Sequence, residues 1–377
     1  MLNKLVVNKK KISLLLTIII IVCFAAAALL FFQIDMKSFK ENKYQYDVNE
    51  EKSFAVEEIK KINIDSFSSD INIIEYDDNK VKVHVYGKLY AKQQDEKTPL
   101  IELNNGTLDI NENRHSRLHI GINFNIGELF NENEMQIDIF MPKGYGESLK
   151  IDTSSGTVKS DSLILKELYI NTFSGEIVLK DVTANEVDFE TSSGEIRGEI
   201  INSEELNIKT FSGSSKFKSI NADKVFFDTS SGDVSLGKVE TNKIEGSTFS
   251  GKIEAEEINA ENANFDSSAG NISIDKSTIK KVICETFSGE IEFSNATIID
   301  ADIDSSSGSV TLGLVKGSEF ALVAESSSGD ISCDFPVITT KKQEEHEIKG
   351  VVGKDTGKIS IETFSGDIEI NEVEVNS

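Results

Sequence analysis

Asp152-Thr153-Ser154-Ser155-Gly156 returns as Asn171-Thr172-Phe173-Ser174-Gly175, then Glu190-Thr191-Ser192-Ser193-Gly194, then Lys209-Thr210-Phe211-Ser212-Gly213. The beat continues through Gly232, Gly251, Gly270, Gly289 and Gly308, and every interval equals the first, from Gly156 to Gly175, with no drift. A fixed period of this size marks a solenoid, whose units are too small to bury an apolar face alone and stack on their neighbours.

Within a unit the apolar residues keep fixed places. After Gly175 come Ile177, Leu179, Val182, Ala184, Val187, Phe189, Thr191 and Ser193, and the units from Gly213 and Gly251 repeat the pattern. Steps of two mark a strand whose alternate side chains face inward, and the three-residue steps from Leu179 to Val182 and from Ala184 to Val187 mark corners. Each unit is therefore expected to hold three short strands and three bends, with Lys180, Glu186, Asp188 and Glu190 facing water. The glycine fits a bend that needs positive φ or close backbone approach. Gly329 and Gly366 continue the set after the beat slips.

A second period is superimposed. Phenylalanine precedes Ser-Gly at Phe173, Phe211, Phe249 and Phe287, and serine takes that place at Ser154, Ser192, Ser230, Ser268 and Ser306. Three residues earlier Phe189, Phe227 and Phe265 accompany the serine units, while Ile170, Ile208, Gly246 and Cys284 accompany the phenylalanine units. A 19-residue turn with staggered bulk explains this, as does a 38-residue turn that stacks like on like. The first is favoured because three bends already close a turn. Parity places the four phenylalanines outward, as an aromatic stripe suited to a glycan or protein partner. The competing reading tucks them under a neighbouring corner, and the exchange with inner bulk supports it.

The 377 residues carry 39 basic and 64 acidic side chains, a net charge of −25. That excludes nucleic acid as a partner, because phosphates demand clustered Lys and Arg. Residues 12–34 hold no charge and are long enough to span a bilayer, with Lys4, Lys9, Lys10 and Lys11 on one side. The expectation is one N-terminal transmembrane helix over 12–34, a cytoplasmic tail over 1–11 and an extracellular C-terminal domain. A cleaved signal peptide is the alternative, Ala25 to Ala28 supplying small residues. Residues 35–52 read as a stalk, 53–150 as an N-terminal β cap with degenerate first repeats, 151–333 as the regular solenoid, and 334–377 as a C-terminal loop and capping turn. Cys284 and Cys333 fall at inward places and are expected in the core, unpaired.

Met141-Pro142-Lys143-Gly144-Tyr145, then Leu149-Lys150-Ile151-Asp152-Thr153-Ser154-Ser155-Gly156, the repeated Thr-x-Ser-Gly-(Asp/Glu)-Ile steps and the closing Gly357-Lys358-Ile359-Ser360-Ile361-Glu362-Thr363-Phe364-Ser365-Gly366-Asp367-Ile368 resemble the bacterial "putative-adhesin" family. These are toastrack-like β-solenoids, LiaG-like proteins among them. The resemblance covers about residues 54–375. It implies a parallel β-solenoid on the outer face of the membrane, linked to adhesion or envelope-stress sensing, and it brings no catalytic residue.

Catalysis has its own candidates in the chain. A parallel β-helix can be a polysaccharide lyase or hydrolase with carboxylates in a groove, and Glu176, Glu195, Asp233, Glu290, Asp330 and Asp367 follow the glycine. Such a row is more often a solvated face. No base lies within the repeats, since the histidines are His84, His115, His119 and His346. His115 and His119 are four apart, a spacing that serves a metal only on a helix. Calcium at successive turns is opposed by Thr157, Ser214, Lys252, Asn271 and Ser309 at the acid's place. Inward Thr172, Ser174, Thr191, Ser193, Thr210 and Ser212 are expected as hydroxyl ladders that bond bent backbone. The whole is an all-β parallel β-solenoid (β-helix) with 19-residue repeats behind one transmembrane helix. It is expected to be non-catalytic, with no cofactor and no metal. Its expected partners are membrane lipid through the helix and either cell-wall glycan or an envelope-stress membrane protein.

Overall fold

The computed structural model describes residues 44–91, 100–112, 134–339 and 346–374. The segment expected to cross the membrane, 12–34, lies outside them, as do His115 and His119. No helix among the described residues is long and apolar enough to cross a membrane.

The chain opens with β1 (Tyr44–Ala55), β2 (Lys61–Ser66), β3 (Asp70–Tyr76) and β4 (Lys80–Ala91), followed by β5 (Leu100–Asn104), β6 (Thr107–Asn111) and β7 (Glu134–Pro142). Next come β8 (Ser148–Thr153), β9 (Val158–Ile164) and β10 (Glu167–Thr172). The regular array is β11 (Ile177–Thr191), β12 (Ile196–Thr210), β13 (Ser215–Thr229), β14 (Val234–Thr248), β15 (Ile253–Ser267), β16 (Ile272–Thr286) and β17 (Ile291–Ser305). The last strands are β18 (Val310–Val315), β19 (Phe320–Ser326), β20 (Ile331–Cys333), β21 (Glu347–Val352), β22 (Lys358–Thr363) and β23 (Ile368–Val373).

Ile177 pairs in parallel with Ile196, Ile196 with Ser215, and so on to Ile272 with Ile291, each residue meeting its counterpart in the next repeat. One turn of the solenoid is therefore one repeat, and the 38-residue turn is excluded. The β11 to β12 register passes over Lys180 and Asn185, so each long strand is three short segments joined by two corners, with the Ser-Gly bend as the third. Buried side chains in β11 are Ile177, Leu179, Val182, Ala184, Val187, Phe189 and Thr191, the set read from spacing without Ser193, which lies past the strand and is exposed. Stacked on the same places of neighbouring turns, they form one continuous core, each large apolar side chain contributing about 1.5–3 kcal/mol. Cys284 is fully buried and Cys333 half-buried, both unpaired.

The bend glycines are required by stacking, not by φ. A Cβ on Gly175 would lie 2.1 Å from the carbonyl oxygen of Gly156, and one on Gly232 2.0 Å from that of Gly213. Positive φ occurs instead at other glycines such as Gly106 and Gly317. The buried threonine three residues earlier accepts the glycine N–H on its Oγ1, as Thr172 does from Gly175 at 2.8 Å and Thr191 from Gly194 at 2.9 Å. Ser174, Ser193 and Ser212 depart from expectation: they face outward, where each hydroxyl donates to a carbonyl of the preceding turn. Alternation stops at the threonine: the next two residues, such as Phe173 and Ser174, already belong to the bend and both face out.

Both ends break the chain order. β2 and β3 lie between the insertion strands β6 and β7 on one side and β8 and β9 on the other. The antiparallel β1, β4 and β7 cover that end, so from Tyr44 the stretch expected as a stalk is an outer strand of the cap. At the far end β22 inserts between β17 and β19, and β23 between β18 and β20. The final pair, expected as an outer capping turn, is thus an inner one, and β19 with antiparallel β21 lies outside it.

Glu112 finishes the first bend. Its Oε2 accepts from the Ser66 hydroxyl at 2.7 Å and from the backbone N–H of Phe67 at 2.8 Å, Ser68 at 3.2 Å and Ser69 at 3.4 Å. In later turns the donors corresponding to Phe67 and Ser68 N–H meet carbonyls of the turn before, as Phe173 N–H meets the Thr153 oxygen at 3.2 Å and Ser174 N–H the Ser154 oxygen at 2.8 Å. One buried carboxylate therefore stands in for a missing turn.

Candidate aromatic ladder face

The Ser-Gly bend displays its outward residues on one face of the rod. Phe173, Phe211, Phe249 and Phe287 are 65–67% exposed, so the tucked alternative does not hold. Backbone hydrogen bonds fix their order. Ser193 N–H donates to the Phe173 oxygen, Phe211 N–H to Thr191, Ser231 N–H to Phe211, and the pattern runs on to Ser307 with Phe287. Phenylalanines therefore stand two turns apart, about 9.6 Å at the usual strand spacing, with Ser192, Ser230 and Ser268 between them.

Intercalation of the C-terminal strands lengthens this column. Phe364 N–H donates to the Ser305 oxygen and Ser327 N–H to the Thr363 oxygen. The spatial order at that end is Phe287, Ser306, Phe364, Ser327, which keeps the alternation although Ser327 precedes Phe364 in the chain. Phe364 is 69% exposed. At the other end Ser155 N–H donates to the Phe67 oxygen, which puts half-buried Phe67 one turn before Ser154 and two before Phe173. Sequence reading missed Phe364 as a member because Gly366 falls out of phase. The one available signal was the intact Thr363-Phe364-Ser365-Gly366.

Inner packing does not impose this alternation. Phe189, Phe227 and Phe265 fill the core beside serine turns, and Phe227 faces Phe265 at 6.2 Å across the space that Gly246 leaves. Beyond Phe265 the inner place holds Cys284, Ile303, Ile361 and Ala324 in spatial order. Inner exchange has lapsed there, yet Phe287, Ser306, Phe364 and Ser327 still alternate outside.

Two residues before the column lies a row of acids. Asp266, Glu285, Asp304, Glu362 and Glu325 occupy consecutive turns. Lys349 pairs with Glu325, while among the described residues no basic side chain pairs with the other four. Loss of water around part of its surface, with Asp302 close by, pushes the Asp304 carboxyl above its ordinary range. Between Phe287 and Phe364 this row and the serines enclose an open groove of about 570 Å³. Toward the N-terminal end the face is balanced instead: Lys150 lies 5.0 Å over the Tyr169 ring and Lys243 5.4 Å over Phe226.

The acids that follow the bend glycines serve partly in structure. Asp70, behind Ser69 at the glycine's place, accepts the Thr157 N–H, Asp233 the Lys252 N–H and Asp367 the Asp330 N–H, all at 2.9 Å. Glu176 and Glu195 share Arg197. Asn271 accepts the Glu290 N–H at 3.1 Å, so an amide serves the same bond and the place does not require an acid. His84 shares a hydrogen bond with Asn49 and stacks on Tyr86, and His346 meets the Gly329 carbonyl oxygen. Neither histidine is in reach of the groups that follow the bend glycines at the middle turns. Among the described residues no cluster of His, Cys, Asp and Glu is arranged to hold a metal ion.

A family model described as Toastrack DUF4097 matches residues 59–224 and again 202–371. No curated protein matches the chain. Among solved structures, a "putative lipid binding protein" from Parabacteroides distasonis is 17% identical over 86% of this chain and 97% of its own, with a TM-score of 0.37. A "putative adhesin" from Bacteroides fragilis is 17% identical over 71% and 97%, with a TM-score of 0.35. A "putative cell adhesion protein" from Clostridium sporogenes is 12% identical over 87% and 100%, with a TM-score of 0.20.

Proposed function

The chain belongs to the Toastrack DUF4097 family, and on that premise we propose that it is a non-catalytic binding scaffold of the cell envelope. Residues 12–34 anchor it in the membrane, and the acidic rod stands on the outer side as an adhesion or envelope-sensing surface. The observation that carries this reading is the run of exposed phenylalanines at every second turn. Large aromatics left in water cost free energy and serve no inner packing, so a partner surface is what makes use of them. A rigid rod that repeats one weak contact gains affinity by summing it. The acids form a continuous row, not the isolated pair across a cleft that glycoside hydrolysis uses, and this favours binding over catalysis.

The test is co-sedimentation of the full-length protein, in non-ionic detergent, with purified cell wall, beside capture of membrane proteins from the same cells. Wall binding weakened about fivefold or more by Phe211→Ser with Phe249→Ser, two contacts of about 0.5–1.5 kcal/mol each, supports adhesion through the ladder. Capture of a specific membrane protein without wall binding makes the chain a sensing component. Binding to neither refutes the scaffold reading.

A further inference from the structure

We propose that the ladder face takes a β-1,4-linked glycan whose sugars carry free amines, laid along the rod with one sugar per turn. This rests on the scaffold reading and names its ligand class.

The repeat excludes most other occupants. Phe173, Phe211, Phe249, Phe287 and Phe364 are evenly placed, two turns or about 9.6 Å apart. Two turns of an α-helix rise about 10.8 Å, so over the four intervals a helical peptide slips by about 5 Å, half the ring spacing. An extended peptide returns a side chain to the same face about every 6.8 Å and falls out of step sooner. A β-1,4-linked pyranose chain is flat and turns alternate sugars over, so the same apolar C–H face returns at every second sugar, about 10.3 Å on, and drifts by about 3 Å over the four intervals of the strand-spaced ladder, less than the helix does. Those faces stack on the phenyl rings. The serines between the rings leave room for the intervening sugars, and the outward Ser174, Ser193 and Ser212 keep lone pairs free to accept from sugar hydroxyls.

Charge selects among glycans. The acid row of Asp266, Glu285, Asp304 and Glu362 runs beside Phe287 and Phe364 at one carboxylate per turn, without basic partners among the described residues, whereas Asn171, Lys209 and Ser247 hold that place beside Phe173, Phe211 and Phe249. A uronate or phosphate polymer is repelled by it and by the net charge of −25. An amine on each sugar sets the ammonium groups of alternate sugars toward the row. A second copy of the chain in parallel register would bring acid row against acid row, which disfavours that pairing of two rods through this face.

The experiment measures binding of the full-length protein in non-ionic detergent to glucosamine trimers and hexamers, to their fully N-acetylated counterparts, and to a helical Lys/Phe peptide, at two salt concentrations. The glucosamine hexamer is expected to bind at least tenfold more tightly than its trimer and than the N-acetylated hexamer, with loss on raising salt. Phe249→Ser with Phe287→Ser should weaken both hexamers. Asp266→Asn with Glu285→Gln and Asp304→Asn should remove only the preference for the amine, which separates recognition from misfolding. Equal affinity for amine and N-acetyl hexamers, an unchanged preference in the charge variant, or tighter binding of the peptide overturns the inference. Wall binding or capture of a membrane protein with no hexamer binding overturns it while the scaffold reading stands, and binding to none of the three removes both.

Discussion

Removing the carboxylate of Glu112 tests the claim that one side chain ends the solenoid. In Glu112→Ala the Ser66 hydroxyl and the N–H groups of Phe67, Ser68 and Ser69 lose their common acceptor. A fully buried donor left unpaired costs about 1–3 kcal/mol. Ser66 and Ser69 are buried, but Phe67 and Ser68 reach water, and the Ser69 N–H also has Ser66 Oγ at 3.1 Å. The expected loss is therefore about 2–4 kcal/mol, not the sum of four full penalties. Glu112→Gln keeps an acceptor oxygen without its charge and should cost about 1 kcal/mol. In a stack whose turns contact only their neighbours the damage stays near the end. Hydrogen exchange should quicken over residues 61–76, while β13 to β15 keep their protection. Denaturant melts of the two variants give the energies. A loss below about 0.5 kcal/mol in the alanine variant, or equal losses in both, would refute the capping argument.

Two further tests address the bend and the acid rows. Gly232→Ala drives a Cβ to 2.0 Å from a backbone oxygen of the preceding turn, which the ladder on both sides holds in place. It should cost about 3 kcal/mol or more in a chemical melt, whereas Gly144→Ala, with nothing within 4 Å of the new atom, should stay within about 0.5 kcal/mol. Asp65 is raised above its ordinary value of 3.8, first by burial, then by Asp152 and Glu112. The folded state thus holds this proton more tightly than the unfolded one, so its charge costs stability at neutral pH. That cost fades as pH falls through the raised value and is gone below the ordinary one. Asp65→Asn should raise the melting temperature at pH 7 and leave it unchanged near pH 3; a constant difference across that range would show that charge is not the cause.

How much of this was legible follows from how local each signal is. The seven inward places of a turn, the corners at Lys180 and Asn185 and the bend at each glycine are fixed by contacts between residues one repeat apart, so periodicity alone reveals them. The exposure of Phe173 was legible by parity, though the exchange with Phe189 and its kin pointed the other way. Phe364 was not legible as a neighbour of Ser306, because that contact joins strands far apart in the chain and depends on β22 entering between β17 and β19. Glu112 was hidden for a similar reason. It belongs to an insertion without the period, and a single glutamate gives no sign that it will meet the bend at Phe67.

The intercalated turn bears on what the rod is for. If β19 docked directly on β17, Ser327 would follow Ser306 and the outer column would end on two serine turns. Entry of β22 between them places Phe364 where the two-turn rhythm calls for a ring. Closing the end does not itself demand a phenylalanine there: an outward serine at that place would leave the ladder bonds of Ile359 and Ile361, and their burial, unchanged. The same holds at the first turns, where Ile64 and Ile151 fill the inner place behind Phe67 and Ser154 alike. At both ends, then, the outer rhythm persists where inner packing no longer varies with it. A property kept when its packing cause is absent is not set by the core, and on this the proposed outward partner surface rests.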